Sequence, residues 1–374
     1  MKRYLDVQSL DAVHALLQKE FACKPSVTTV PVAGAAGRIT ASPIFVTYSV
    51  PEVHVAAMDG IAVVSDETHG ASEQHPVTLR EAVRVNTGNV VPPGCDAVIM
   101  IEDVWGEGER FIIRKAAAPW QHVRPAGEDI AESEMVLPSG HRIRPHETGA
   151  LAAYGIMDVS VISVRAGLIP TGSELVAPGV RPAPGQVVES NTVMAASMLK
   201  DAGADCTRYP MVKDDPAEIR GAILKAVSEN EIVIVSAGSS AGTKDYTADV
   251  VADLGEVLVH GVAIKPGKPA IIGRVEGKPV IGMPGYPLSA LTVLREIVLP
   301  FLRCYGFFVP EPETIPARIS SPVAKDMGSD EYILCTLGKI GGRWVISPQS
   351  RGAGVQMSAV RANAYLKLPA ASER

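Results

Sequence analysis

Several features are scarce or missing in this sequence, and each narrows what it can be. Its five cysteines (Cys23, Cys95, Cys206, Cys304, Cys335) lie far apart and form no CxxC pair. That spacing argues against a zinc ribbon or a disulfide framework and suits free thiols in a reducing cytosol. There is no basic excess: 35 Lys and Arg against 41 Asp and Glu leave a net charge of −6. Generic nucleic-acid binding, which needs a broad positive surface to release counterions, is therefore not expected. No apolar run approaches the roughly 18–20 residues that span a bilayer, so no membrane partner is expected. The opening MKRYLDVQSLDAVHALL is interrupted by Asp6 and Asp11, and no signal-peptide core forms. The histidines show no ligand spacing; His141 and His146 straddle Pro145, unlike a zinc helix. Neither an internal repeat nor a low-complexity tract is present. What remains is a cytoplasmic globular chain, 47% hydrophobic and 20% charged. Its 374 residues exceed one ordinary core and imply about two to four domains.

The character of the chain changes along its length. Leu5, Leu10, Val13, Leu16 and Leu17 share roughly one face, which predicts an amphipathic helix over 5–22. From about Pro51 to Pro138, short Val/Ile runs at 61–64, 77–85, 97–104 and 111–114 alternate with Gly and Pro punctuation and predict an inserted β-domain. A short helix over 146–155 ends at Gly155, and the alternation of 159–164 predicts a strand. From about 165 to 304, strand, Gly-rich turn and helix recur. Helices are predicted after Asn191 (about a dozen residues, ending near Gly203), over 216–227, over Tyr246–Leu254 and over 288–302, and IVIVS is a buried strand. Such alternation predicts a doubly wound α/β sheet with its ligand at the carboxyl ends of the strands. A proline-rich linker, 309–316, precedes an alternating segment that reads as a small β-domain.

The stretch 232–297 carries most of the chemistry. IVIVSAGSSAGTKD, AIKPGKP and GMPGYPLSA read as three strand-to-turn units. Gly238 and Gly242 allow close backbone approach, Ser239 and Ser240 offer hydroxyls, and Lys265 and Lys268 offer charge. Pro284, Gly285 and Pro287 lead into a helix whose first N–H groups are a natural anion site. Together these turns point to a phosphate or oxyanion ligand. GSSAG departs from the G-x-S-x-G of a nucleophile elbow, and a serine hydrolase is not implied.

Carboxylates stand beside other glycine turns: Asp59 in AAMDGIAV, Glu128 and Asp129 in PAGEDIAE, Glu174 in TGSEL and Asp245 in GTKDYT. Each is equally what a turn, a solvated loop or the first turn of a helix would carry. As a set they could hold Mg²⁺, which favours carboxylates combined with substrate phosphates. Thr87 in TGN is a hairpin residue or a ligand group, and Ser358 and Asn363 are polar positions near a glycine loop.

Taken together, the segments resemble the MoeA/gephyrin E-domain family of molybdopterin molybdenumtransferases, in the family's order and across nearly the whole chain. AAMDGIAV is similar to S-A-M-D-G-Y-A, VNTGNVVPPGCDAVIMIED to T-G-A-x-x-P-x-G-A-D-A-V-x-x-x-E, and VRPAGEDI to the R-x-x-G-E-D loop. TGSEL resembles T-G-D-E-L, ESNTVMAASML the D-S-N helix, and GSSAGTKD G-G-V-S-x-G-x-x-D; KPGKP and PGYPLSA resemble K-P-G-K-P and P-G-N-P-V-S-A. The resemblance implies four domains: an N-terminal mixed domain (1–47 plus 135–164), an inserted β-domain (48–134), a MogA-like molybdopterin-binding α/β domain (165–308) and a small β-barrel-like C-terminal domain (309–374). It implies a homodimer whose clefts lie between the α/β domain of one subunit and the β-domain of the other. The implied reaction inserts molybdate, or tungstate, into adenylylated molybdopterin with Mg²⁺ and release of AMP. Asp59, Asp129, Glu174 and Asp245 would be catalytic, with Asp59, Glu174 and Asp245 on the metal. Thr87, Asn191, Gly238, Ser239, Ser240, Gly242, Pro284 and Gly285 would line the substrate, with Lys265, Lys268, Ser289 and Ser358 at the oxyanion. The molybdopterin adenylyltransferase and recipient molybdoenzymes are the implied protein partners.

The chain departs from these patterns at defined points. Ser173 replaces the Asp of TGDEL, Tyr286 the Asn of PGNP, Ala237 the first Gly of GGVS, and Ser133 stands where a glycine usually follows GED. The arginines of the family's C-terminal G-R-x-x-F-x-R strand are absent from GSDEYIL, leaving Arg351 or Arg361 as the sequence's candidates for that charge. Two further readings therefore stand beside the transferase: a paralogue that binds molybdopterin or the oxyanion without turnover, and the related adenylyltransferase. The inserted and C-terminal β-domains argue against the latter.

Overall fold

Ile232 and Ile234 pack into one apolar cluster and Val233 and Val235 into another, so the strand Ile232–Ala237 is covered on both faces. The structure, a computed structural model, describes residues 7–106, 110–237, 246–325, 327–349 and 352–370. The strand lies inside a six-stranded sheet ordered Asp205–Arg208, Arg165–Pro170, Ile232–Ala237, Lys278–Pro284, Ile271–Val275, Glu256–His260. Pairings among the first four strands are parallel and the other two are antiparallel. Helices Leu10–Glu20, Asn191–Asp201 and the run from Pro287 cover one face; Pro216–Glu229 and Tyr246–Leu254 cover the other. This is the doubly wound sheet expected from the alternation of strands and helices.

Three local expectations are corrected. The first helix is Leu10–Glu20, not 5–22, because the Ser9 hydroxyl caps it by accepting from Ala12 N–H at 3.2 Å. Glu174 opens no helix: TGSEL is a turn leading into Leu175–Val176, which pairs with Val187–Val188. The run 288–302 is not one regular helix. It is α over Pro287–Val293, π over Leu294–Val298 and α again over Leu299–Leu302. Pro300 has no N–H for the carbonyl of Glu296 four residues earlier; His14 Nε2 bonds that oxygen instead, at 2.6 Å.

Ile264–Lys265, at the start of the KPGKP turn, belongs to a different sheet. It pairs in parallel with the start of Asp330–Ile340, Ile264 opposite Asp330 and Lys265 opposite Glu331. Arg343–Pro348, Arg318–Ile319 and Ala364–Leu368 complete these five strands around Ile333, Cys335 and Ile346. Its hairpin turns on Gly341 and Gly342, both at positive φ, as a two-residue I′-type loop requires.

Both sheets belong to one compact unit made of Met1–Thr28, Gly37–Ile39 and Val161–Arg374. The other unit comprises Thr29–Ala36 and Thr40–Ser160. Within it, Gly60–Val63 is paired on either side by Val83–Val85 and Ala97–Met100. Ile61, Val63, Ala97 and Ile99 face one cluster, while Ala62 and Val98 face another. The run 77–85, expected as one strand, is divided: Val77–Leu79 pairs with Phe111–Ile113 in a second sheet, and Val83–Val85 stays in the first. Among the described residues no helix is long and apolar enough to cross a membrane.

Candidate functional site

The loops at the carboxyl ends of the parallel strands are held in register, Pro170 opposite Ser236 and Ala237 opposite Pro284. Asn191, buried at the start of its helix, ties them together. Its Nδ2 donates to the Gly285 carbonyl at 2.8 Å and to Ser236 Oγ at 3.3 Å. Its Oδ1 is buried with no hydrogen-bond partner among the described residues, an acceptor still to be satisfied. In the TGSEL turn, a Cβ on Gly172 would lie 2.9 Å from Glu174 Oε2, so the glycine makes room for that carboxylate. Ser173 N–H donates to Asp214 Oδ2 at 3.1 Å, and Asp214 N–H donates to Ser173 Oγ at 3.1 Å. Asp214 thus brings a carboxylate to the position where Ser173 departs from the TGDEL pattern. Gly238, Ser239, Ser240, Gly242 and Asp245 lie outside the described residues.

A cavity of about 560 Å³ opens where KPGKP, the helix after PGYP and the strand from Asp330 meet. Lys265, Lys268, Ser289, Thr292, Arg295 and Glu331 are among its polar lining residues. Lys265 Nζ stands 4.0 Å from Glu331 Oε1, and the Glu331 carboxylate is almost fully buried. Gly267, at φ +117°, shapes the turn; a Cβ there would meet Ile264 Cδ1 at 3.0 Å. Arg295 lies in the π-helical turn. Its guanidinium carbon stands 3.7 Å from the Tyr365 ring centroid and 5.2 Å from that of Tyr332, and its Nε donates to Glu296 Oε1 at 2.6 Å.

At the start of the PGYP helix, one of the N–H groups expected to meet an anion is already used. The Leu288 N–H is taken by the Ala353 carbonyl at 3.0 Å, so it does not face a ligand. Tyr286 is exposed beside Gly354, where a Cβ would come 3.6 Å from its ring. Ser358 is buried in the helix Gln356–Arg361 and is not among the cavity's lining residues. Of the cations suggested by sequence, Arg361 is exposed at the end of that helix and Arg351 lies outside the described residues. Sequence reasoning missed Arg295. The only signal was a lone Arg-Glu pair within the apolar run LSALTVLREIVLPFL.

The second unit carries the remaining carboxylates. Asp59 is exposed just before Gly60–Val63 and accepts from Thr87 N–H at 2.6 Å and Thr87 Oγ1 at 3.0 Å. These bonds, the backbone one foremost, hold its carboxyl below the ordinary range. Gly60 is required by packing, since a Cβ there would overlap the Ile99 carbonyl. Asp129 accepts from the Tyr154 hydroxyl at 3.2 Å, and Glu128 pairs with Arg124 at 2.6 Å. Asp59 and Thr87, read separately from sequence, are thus one hydrogen-bonded pair. Among the described residues no group of three or more His, Cys, Asp or Glu side chains is placed to hold a metal ion.

Comparison with known proteins agrees with this organisation. Residues 8–155 match the family model for the MoeA N-terminal region (domain I and II), residues 167–304 the model "Probable molybdopterin binding domain", and residues 316–374 the MoeA C-terminal region (domain IV). Molybdopterin molybdenumtransferase 2 of Mycobacterium tuberculosis is 33% identical over 336 residues, covering 81% of this chain and 82% of that protein. Molybdopterin molybdenumtransferase of Haemophilus influenzae is 33% identical over 283 residues, covering 72% and 70%. The crystal structure of a molybdopterin biosynthesis MoeA protein from Pyrococcus horikoshii superposes with a TM-score of 0.80 at 32% identity, covering 98% of this chain and 95% of that one.

Proposed function

The chain belongs to the MoeA family, and from that membership we propose that it is a molybdopterin molybdenumtransferase that inserts molybdate into adenylylated molybdopterin with release of AMP. The observation that carries this reading is the cation-lined cavity. Lys265, Lys268 and Arg295 line a space that also presents Ser289, with the buried Glu331 carboxylate beside Lys265 and Glu296 bonded to Arg295, so three cations stand against two carboxylates. An excess of fixed positive charge beside hydroxyl donors suits a dianionic oxyanion.

The chemistry divides into two parts. Cleavage of the phosphoanhydride by water yields AMP and the phosphate of molybdopterin. In the transfer itself, one molybdate oxygen leaves as water with the two thiol protons as two Mo–S bonds form. Lys265, Lys268 and Ser289 hold the oxyanion, with Ser358 carried over from the family pattern. Asn191, whose Oδ1 awaits a donor, and Gly285 position the pterin nucleotide together with Pro284, Thr87, Gly238, Ser239, Ser240 and Gly242. Carboxylates are a donor set suited to Mg²⁺, which takes one or two of them along with substrate phosphates. Glu174 and Asp245 would hold that ion, with Asp59 as a further carboxylate; bound there, it would polarise the phosphoanhydride. Asp129 completes the catalytic set. A homodimer, a cytoplasmic location, and exchange with the molybdopterin adenylyltransferase and recipient molybdoenzymes belong to the same reading.

The test is AMP release from adenylylated molybdopterin with Mg²⁺, with and without molybdate. Molybdate-dependent release, lowered at least tenfold in Lys268→Ala, is the expected result. Full turnover by Asp59→Ala would remove Asp59 from the mechanism. Pterin binding without any release would make the chain a binding protein.

A further inference from the structure

Arg295 is held as few surface arginines are. Its guanidinium lies against the Tyr365 ring at 3.7 Å, with Tyr332 on another side at 5.2 Å, and Glu296 takes its Nε–H at 2.6 Å. Its side chain is only 21% exposed. Among the described residues its two terminal amino groups donate to no protein acceptor, and the residue lines the cavity that also holds Lys265 and Lys268. Neither terminal nitrogen is among the buried unpaired atoms, so both remain open to the solvent or to whatever fills the cavity, and an anion there would find two preset donors. The backbone points the same way. Arg295 sits in a five-residue π-turn, Leu294–Val298, kept in place by Pro300 and by the His14 bond to the Glu296 carbonyl. Such turns recur at functional sites.

We infer that Arg295 is the bidentate oxyanion clamp of this cavity, gripping a tetrahedral dianion by two parallel N–H···O bonds. Lys265 and Lys268 add point charge. The strand bearing Glu331 lacks arginine, yet it is paired in register with Lys265, so the fork has to enter from the helical wall opposite. Tyrosine stacking fixes the plane of that fork, which a lysine ammonium cannot reproduce. Two sources offer the same tetrahedral chemistry, free molybdate and the phosphate of the pterin. The geometry favours the free oxyanion, because it offers four equivalent oxygens to the fork, whereas each phosphate of the disubstituted phosphoanhydride keeps only two non-bridging oxygens.

This inference rests on the molybdenum-transfer reading of the same cavity, and the experiment separates the two. Calorimetric titration of the full chain with molybdate, tungstate and inorganic phosphate compares wild type, Arg295→Gln, Arg295→Lys, Lys268→Ala and, as a surface control, Arg220→Gln. Arg295→Gln and Arg295→Lys should weaken molybdate and tungstate binding roughly 10- to 100-fold. The molybdate KM should rise by a similar factor while the KM for the adenylylated pterin and the melting temperature stay near wild type. Arg220→Gln should bind like wild type. Unchanged oxyanion binding in both Arg295 variants, with weakened binding in Lys268→Ala, would overturn the clamp and leave the cavity reading intact. A raised pterin KM with unchanged molybdate KM would reassign Arg295 to the phosphate and overturn the clamp as stated. No molybdate binding by wild type would overturn both.

Discussion

At the scale of single residues, Ser133 departs from the family pattern and Asp59 keeps it, and each can be tested directly. Ser133, standing where glycine is usual, has φ +68°, a left-handed conformation that a side chain strains. Ser133→Gly should therefore stabilise its unit by about 1 kcal/mol in urea unfolding, by releasing that strain. Asp59 depends on Thr87 for its low carboxyl pKa, and the backbone N–H is the larger of the two donors. Thr87→Val removes only the hydroxyl. The Asp59 carboxyl should move part of the way back toward the ordinary value, read by NMR titration; no movement would mean the hydroxyl bond contributes nothing. The sequence offered Asp59 and Thr87 as separate candidates, because a contact across 28 positions leaves no local signature. Arg295 was hidden for the same reason: its two tyrosines come from strands far along the chain.

Helices and turns were legible where their own residues decide them, and not where a distant partner does. The helix Tyr246–Leu254 ends where it was expected to, and the Gly341-Gly342 hairpin, not singled out from sequence, rests on its own two glycines. The π-turn at Leu294–Val298 depends on Pro300, which is local, and on His14, which is not. Its test is direct: His14→Ala leaves the Glu296 carbonyl without its donor and should cost about 1–3 kcal/mol of stability. The helix Pro145–Ala153 carries its own pH dependence. Glu147 is drawn down to about 2 although burial pushes it up, because Arg144 bonds it through side chain and backbone and His141 adds a further bond. Its folded pKa lies below the ordinary 4.5, so its stabilisation is complete above that pH and lost as pH falls toward about 2. Glu147→Gln should lower the urea midpoint at neutral pH, and the gap from wild type should close in acid.

For the whole molecule, two units with separate cores predict two calorimetric transitions rather than one. Ile61→Ala should lower one and Ile234→Ala the other, each by about 2–5 kcal/mol. A single transition shifted equally by both would mean the cores melt together. Period-two burial and strand–helix alternation made the six-stranded sheet legible from sequence. The split of 77–85 was not legible, since both halves are equally β-like and only their partners differ. Nor was the departure of Ile264–Lys265 to the C-terminal sheet, because two residues carry no periodicity. That short pairing bears on how such proteins can be recombined. The proline-rich stretch 309–316 looks like a natural crossover for grafting one relative's C-terminal segment onto another's α/β portion. A chimera joined there would take Lys265 from one parent and Glu331 from the other, so the cation-lined cavity would be assembled from two ancestries at its most charge-sensitive seam. Exchange would preserve it only when both sides of that pair travel together.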